Sequence, residues 1–510
     1  MPSNAFFAIK LIIIVELHIN FISGMEEIKM RILEGLEPER VFYYFEELCK
    51  IPHGSGNLDG ISRYLEQFAI DKGLYNIRDK SNNIIIIKEA SNGYEETMPI
   101  ILQGHMDMVA VKKDDCDINL EKDPLRLKVS GDYVYAEGTS LGGDDGIAVA
   151  YILAVLEDDS IPHPRIEAVI TTDEETGMEG ATAIDLSMLK ARRMLNIDSE
   201  EEGVLLTSCA GGVRIDSHIP VTREEKKGLF LKVETCGLQG GHSGTEINKE
   251  RGNAIKILGM ALQQICEVIP VQLVSAAGGE KDNAIPRRAE ALICISEDCE
   301  QKFYDEILKI EADLKNEYAS KEKNIFIKVQ KENMTEVSVM DRESTAKVLD
   351  FLTLFPNGIV AMSADIEGLV ETSLNLGVLA SSDTELIASC AIRSSIESSK
   401  LKVKKHVETL ARVFGGHTKA YGDYPGWQFD PDSKLRAQMV DIYKRMFGKD
   451  VQVEALHAGL ECGIMIAKLP GLDCVSYGPN IYDIHTTEEK LSISSTERMW
   501  RYLLEILKQK

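Results

Sequence analysis

Apolar positions along this chain recur in two rhythms. Val41, Phe45 and Leu48, and then the stretch Ile61 to Ala69, follow the spacing of one face of an amphipathic helix. Between and beyond them lie short, β-branched runs bounded by turn residues: Asn83–Ile87, Pro99–Gln103, Ile166–Thr171 and Met194–Ile197. Runs of that length and composition predict buried strands. The segment from Gly146 to Leu156, apolar at Ile147, Ala150, Ile152, Leu153 and Leu156, predicts a buried helix. Strands alternating with helices predict an α/β sheet covered on both faces.

After Gly211-Gly212 the texture changes. Strand-like runs (Leu229–Glu234, Ala289–Ile295, Leu386–Ile392) mix with long charged helical stretches, Cys299–Lys315 and Ser399–Val413, a pattern that suits an α+β unit. From Gly422-Asp423-Tyr424-Pro425-Gly426-Trp427 the α/β texture resumes. A last helix is expected near Ser494, where Ser494-Ser495-Thr496-Glu497 fits a capping box ahead of the stripe Met499, Leu503, Ile506. With 510 residues the chain exceeds one ordinary core. The expected organisation is a discontinuous α/β domain, residues 30–210 and 423–510, with a mixed sheet flanked by helices, interrupted by an α+β domain at 211–422.

Residues 1–29 stand apart. The uninterrupted apolar run Leu11–Val15 is too short to span a membrane, and Lys10, Glu16 and His18 break the longer stretch. A signal peptide wants a charge before its apolar run, which Lys10 supplies loosely, and small residues at a cleavage site, which Phe21-Ile22-Ser23-Gly24 supplies poorly. The segment is read as a non-native extension, with the true start at Met25 or Met30.

A net charge of -25 argues against a nucleic-acid partner and against adhesion to an anionic membrane. Ten scattered cysteines without a Cys-x-x-Cys are neither a disulfide framework nor a zinc knuckle. Reduced thiols in a reducing, cytoplasmic compartment are expected.

Candidate chemistry gathers in five segments, and in four the polar residues follow directly on a buried-type strand. Loops at the carboxyl ends of strands are where open α/β sheets bind ligands. The run Ile100–Gln103 ends in Gly104-His105-Met106-Asp107, whose spacing puts both polar side chains on one face of an extended segment. His105 there suits a metal and Asp107 its orientation. In Gly142-Gly143-Asp144-Asp145-Gly146, glycines let the backbone turn tightly so that one carboxylate projects inward and can bridge two cations. In Asp173-Glu174-Glu175, one glutamate can ligate while the other stays free as a general base, its pKa raised by like charge and burial. Asp198 ends a fourth strand, and His485 follows the Cys474–Pro479 segment. Taken singly, each reads equally well as a turn, a helix cap or a solvated acidic loop. Together they supply two imidazoles and three or four carboxylates with no thiolate, which suits a pair of hydrolytic divalent ions, most naturally zinc.

At these residues the sequence resembles the M20 metallopeptidases, on the branch of the cytosolic non-specific (aminoacyl-histidine) dipeptidases, also called peptidase D. The strings that carry the resemblance are those around His105, Asp144, Glu174 and Asp198, with Gly240-Gly241-His242-Ser243-Gly244, Asn283-Ala284-Ile285-Pro286-Arg287 and His457-Ala458-Gly459-Leu460-Glu461-Cys462-Gly463. It spans about Leu36 to Leu507. The resemblance implies a zinc-exopeptidase fold whose inserted domain is a lid. It implies that His105 and Asp198 bind one zinc, Glu175 and His485 the other, and that Asp144 bridges both through a cis peptide to Asp145. Asn is frequent in the family where Asp145 stands, which leaves that residue's role open. Asp107 would orient His105, and Glu174 would be the general base. From the lid, His242 would stabilise the oxyanion, Arg393 would hold the substrate's C-terminal carboxylate, and Asn283 would contact the substrate nearby. His457, Gly459 and Glu461 would form a substrate-binding loop. By local pattern alone the His242 segment is a flexible turn and Arg393 a strand-end surface charge.

The implied activity is hydrolysis of dipeptides, Xaa-His included. Other activities of the family (tripeptide aminopeptidase, carboxypeptidase, N-acyl-amino-acid deacylase) share the chemistry with a different pocket. A non-catalytic metal-binding scaffold should have lost Glu174 or a ligand. Cobalt and manganese suit the same donors as zinc. A homodimer through the lid is left open, and with it whether His242 serves its own subunit or a partner.

Overall fold

The computed structural model describes residues 31–334 and 336–510; the segment read above as an extension, residues 1–29, lies outside them. Helices Glu39–Cys49 and Asp59–Asp71 form where the periodicity places them. The four apolar runs become neighbours in an eight-stranded mixed sheet. Its centre is four parallel strands in the order Ile166–Thr171, Ile100–His105, Arg193–Asn196 and Asp473–Ser476. The last comes from the far end of the chain, so this sheet closes only when both ends are present. Side chains alternate between its faces. Ile84, Ile86, Ile100, Leu102 and Ile170 join one core with the helices Gly143–Glu157 and Ile493–Leu507. Ile85, Ile87, Ile101, Val169 and Met194 join another on the opposite face. Both faces are covered, which is why the strands read as continuous apolar runs.

Helix Gly143–Glu157 is buried on every side from Gly143 to Leu156, lying between strand Ile100–His105 and helix Glu39–Cys49. The C-terminal helix begins at Ile493, and its cap is Ser492 rather than Ser494: the Ser492 side chain accepts from the Ser495 N–H. Strand Lys490–Ser492 runs straight into the helix, and Ser494 is taken up by Asp132 through both its N–H and its hydroxyl.

Nine of the thirteen strands between Gly211 and Tyr424 build a separate antiparallel sheet, and the other four form two short antiparallel pairs, Arg223–Lys227 with Glu336–Met340 and Gly241–His242 with Ala284–Ile285. Helices Ala254–Cys266, Glu300–Glu317, Arg342–Leu354 and Glu397–Val413 pack on it around a core of their own. All ten cysteines are free.

Candidate metal centre

The carboxyl ends of the parallel strands converge on one point. His105 ends its strand with a buried ring, Nε2 lying 3.2 Å from Asp144 Oδ1 and 3.6 Å from Asp198 Oδ1. His485 Nε2 lies 3.1 Å from Asp144 Oδ2 and 2.9 Å from Glu175 Oε1. Asp144 thus presents one oxygen to each imidazole. Two donor groups result, His105–Asp144–Asp198 and Asp144–Glu175–His485, each with ligand atoms within 4.8 Å of one another.

Local structure explains how Asp144 reaches this position. Gly142 takes a left-handed conformation with φ of 68°, and the Asp144–Asp145 peptide is cis. The turn wraps the Glu489 carboxylate, which accepts from the N–H groups of Leu141, Gly142 and Gly143 at 2.7, 3.0 and 2.8 Å. Asp145 turns away from the donors: its buried Oδ2 accepts the His105 N–H at 3.2 Å. His105 Nδ1 lies 3.0 Å from the Asp107 main-chain carbonyl and 3.4 Å from its Oδ1, while the Asp107 carboxylate accepts from Ser55 Oγ and from the N–H groups of Glu174 and Glu175. Asp107 therefore fixes both the ring, through its carbonyl and the nearby carboxylate, and the glutamate turn, through its carboxylate. Neither Ser55 nor Glu489 carries a sequence signal: each is a common polar residue in a loop, and its partner is distant in the chain.

Burial and crowding set the electrostatics. Burial raises the Glu174 carboxyl well above its ordinary range; His105 opposes this, while Asp198, Glu461 and Glu175 add to it. Asp198 is pushed up to about 6, chiefly by burial. Burial also works to raise Asp144, but the two imidazoles outweigh it and hold the group below the usual carboxylate range. Hydrogen bonds donated to the Asp144 and Glu175 carboxylates raise His485 to about 10. Burial opposes a proton on His105, yet Asp107, Asp144 and Asp198 together raise it well above 6.5. The donor set fits two divalent cations: their charge would offset the crowding of the carboxylates around Asp144 with both imidazoles neutral.

The remaining expected residues fall in two places. Glu461 is not in a surface loop. It is 0% exposed at the start of helix Glu461–Lys468, bonded to Gln103 and Thr171, with burial pushing its carboxyl up to about 7. The carboxylate is closed off from solvent, and Leu460 before it is buried as well. His242, Asn283, Arg393 and His457 gather instead on the side of the second sheet. His242 pairs in register with Ala284, next to Asn283, whose carbonyl accepts the Ser243 N–H. An added Cβ at Gly244 would meet His457 O at 2.5 Å, and both Arg393 Nε and His242 Cε1 at 3.1 Å. His457 Nε2 lies 2.8 Å from Ser373 Oγ; burial, then Arg393, lowers its pKa to about 3. No hydrogen bond or ion pair among the described residues joins this cluster to the donors around Asp144. The two sides meet through Tyr424, which accepts from Arg393 Nη1 at 3.2 Å and backs on Gly459, itself packed against Met178 behind the glutamate turn.

The model of peptidase family M20/M25/M40 matches residues 101–509. The chain belongs to peptidase family M20. This M20 peptidase is 37% identical over 479 residues to the cytosol non-specific dipeptidase of Escherichia coli (strain K12), covering 94% of this chain and 99% of that protein. Its fold superposes on the aminoacylhistidine dipeptidase of Vibrio alginolyticus with a TM-score of 0.89 at 34% identity, over 95% of this chain and 100% of that one. An aminopeptidase of Bacillus cereus, 16% identical with a TM-score of 0.52 over 93% of this chain and 98% of its own, shares the fold. Among the described residues of the M20 peptidase no helix is long and apolar enough to cross a membrane.

Proposed function

We propose that this M20 peptidase hydrolyses dipeptides that have free termini, Xaa-His among them, at a centre of two divalent ions, with zinc best suited to the donors. The observation that carries the reading is Asp144, one oxygen facing each imidazole, with a raised Glu174 beside His105 and Glu175. His105 and Asp198 would hold one ion, Glu175 and His485 the other, and Asp144 both. When bound, the pair would acidify a water and polarise the scissile carbonyl.

Glu174 takes the proton of the attacking water and hands it to the leaving amine; a carboxyl raised toward neutrality can do both. Asp107 holds the turn that aims it. His242 Nδ1 accepts the N–H groups of Gly244 and Thr245 at 3.3 and 3.1 Å, which leaves the ring proton on Nε2. Burial, then Arg393, lowers its pKa, so the neutral ring donates that N–H to the oxyanion. Arg393 has a buried Nε without a hydrogen-bond partner, suited to the substrate's C-terminal carboxylate. Asn283, His457 and Gly459 line the same side. The resemblance to the cytosolic Escherichia coli relative supports a cytoplasmic location.

The test is a panel of Ala-His, Gly-Leu, Ala-Ala-Ala and an N-acetyl amino acid, with metal-stripped, zinc-restored and Glu174→Ala protein. Zinc-dependent cleavage confined to the dipeptides is expected. The variant should lose about 100- to 10,000-fold in kcat with its metal content unchanged. Cleavage of only the tripeptide or the acyl substrate would keep the centre and reject the dipeptidase reading.

A further inference from the structure

Glu461 belongs to neither donor group, yet it is tied to the strands that carry them. Its Oε2 accepts from Gln103 Nε2 at 2.5 Å and from Thr171 Oγ1 at 2.6 Å. Gln103 Oε1 accepts in turn from Asn196 Nδ2 at 2.6 Å. These partners stand side by side on neighbouring parallel strands, Gln103 in register with Asn196 and His105 with Thr171. Each lies just upstream of the centre: Gln103 before His105, Asn196 before Asp198, and Thr171 before Glu174 and Glu175. A single carboxylate, 290 residues beyond Thr171, thus laces together three strand ends that must keep a fixed spacing.

The second oxygen, Oε1, is buried without a hydrogen-bond partner. A fully buried carboxylate with an idle oxygen is costly unless positive charge faces it. Cations held by the donor groups would supply such charge, since Gln103 stands two residues before His105 and Thr171 pairs in register with it.

We infer that Glu461 is a positioning residue for the dinuclear centre, clamping the strand ends that carry His105, Asp198 and the glutamate turn, with its own charge balanced by the bound ions. The inference rests on the two-ion reading above. It separates cleanly from a packing role. A residue that only fills the core lowers stability with and without metal alike. Removing a charge that the ions balance weakens their binding and relieves the metal-free protein.

The test compares metal-stripped full-length wild type with Glu461→Gln, which keeps the shape of the side chain. Both are titrated with Co2+, whose visible bands report its ligand geometry, and melted before and after loading. Wild type should take two ions per chain. Glu461→Gln should bind them about 10- to 100-fold more weakly, with shifted bands. Its stripped form should melt no lower than stripped wild type, and loading should raise its melting temperature less. Gln103→Met cuts the clamp on the His105 side while keeping the carboxylate; it should shift the bands without raising the stripped melting temperature. Unchanged affinity and bands in both variants overturn the proposal. So does an equal fall in melting temperature for stripped and loaded Glu461→Gln. A wild type that takes fewer than two ions overturns the two-ion reading and this proposal with it.

Discussion

At the scale of single residues, the centre is a contest between protons and metal. His485 is raised to about 10 by Asp144 and Glu175, so the metal-free ring keeps its proton through neutral pH. A metal takes the neutral imidazole and must displace that proton. The sign follows: lower pH favours the competitor, and apparent affinity rises with pH until it passes the raised pKa. Chelator competition between about pH 6 and 8 should show zinc affinity climbing at least about tenfold per unit. A flat profile would mean that the His485 ring is already neutral there. Legibility at this scale follows distance along the chain. His105, Glu175 and Asp198 each end or follow an apolar run and Asp144 precedes one, and that local signal marks them. Glu461 reads as part of a loop because the partners that bury it, Gln103 and Thr171, are 358 and 290 residues away. His242 and Arg393 have no local pattern and were visible only through family resemblance.

At the scale of elements, placement depends on how closely helix Gly143–Glu157 approaches strand Ile100–His105. Gly104 allows it: a Cβ there would lie 2.5 Å from Asp145 Oδ2 and 2.7 Å from the Ala148 Cβ. Gly104→Ala should therefore push the start of the helix away and carry Asp144 with it. About 1–3 kcal/mol of stability should be lost, read by denaturant unfolding, along with zinc affinity. Stability and affinity equal to wild type would show that the helix can give way without moving Asp144. The C-terminal helix offers a second check. Its cap is Ser492, so Ser492→Ala should cost about 1 kcal/mol, in keeping with a lost N-cap. The pattern Ser494–Glu497 looked the better cap because a capping box is defined by local spacing. What displaces it is the strand Lys490–Ser492 and the contacts of Ser494 to Asp132, neither visible in that window.

At the scale of the whole molecule, separate sheets with separate cores stand on either side of the changes in texture that the periodicity of the sequence marks. What it could not show is that the first sheet needs a strand from beyond the second sheet, Asp473–Ser476, beside Arg193–Asn196. The donors straddle that join: His105, Asp144, Glu175 and Asp198 come from before the second sheet and His485 from after it. Bound ions would then act as a cross-link between the two ends of the chain. Removing them leaves Asp144, Glu174, Glu175 and Asp198 crowded with only two imidazolium partners, a repulsion confined to the first sheet. The second sheet holds neither donor group and has a separate core, so it should not respond. Amide exchange on chelated against zinc-loaded protein should be faster by about tenfold or more over residues 103–108, 141–148, 172–178, 197–202 and 477–489. Strands Leu229–Cys236 and Ala289–Ile295 should exchange unchanged. Equal acceleration in those strands would mean that the two cores open together, and that the ions hold the entire chain rather than the join between its ends.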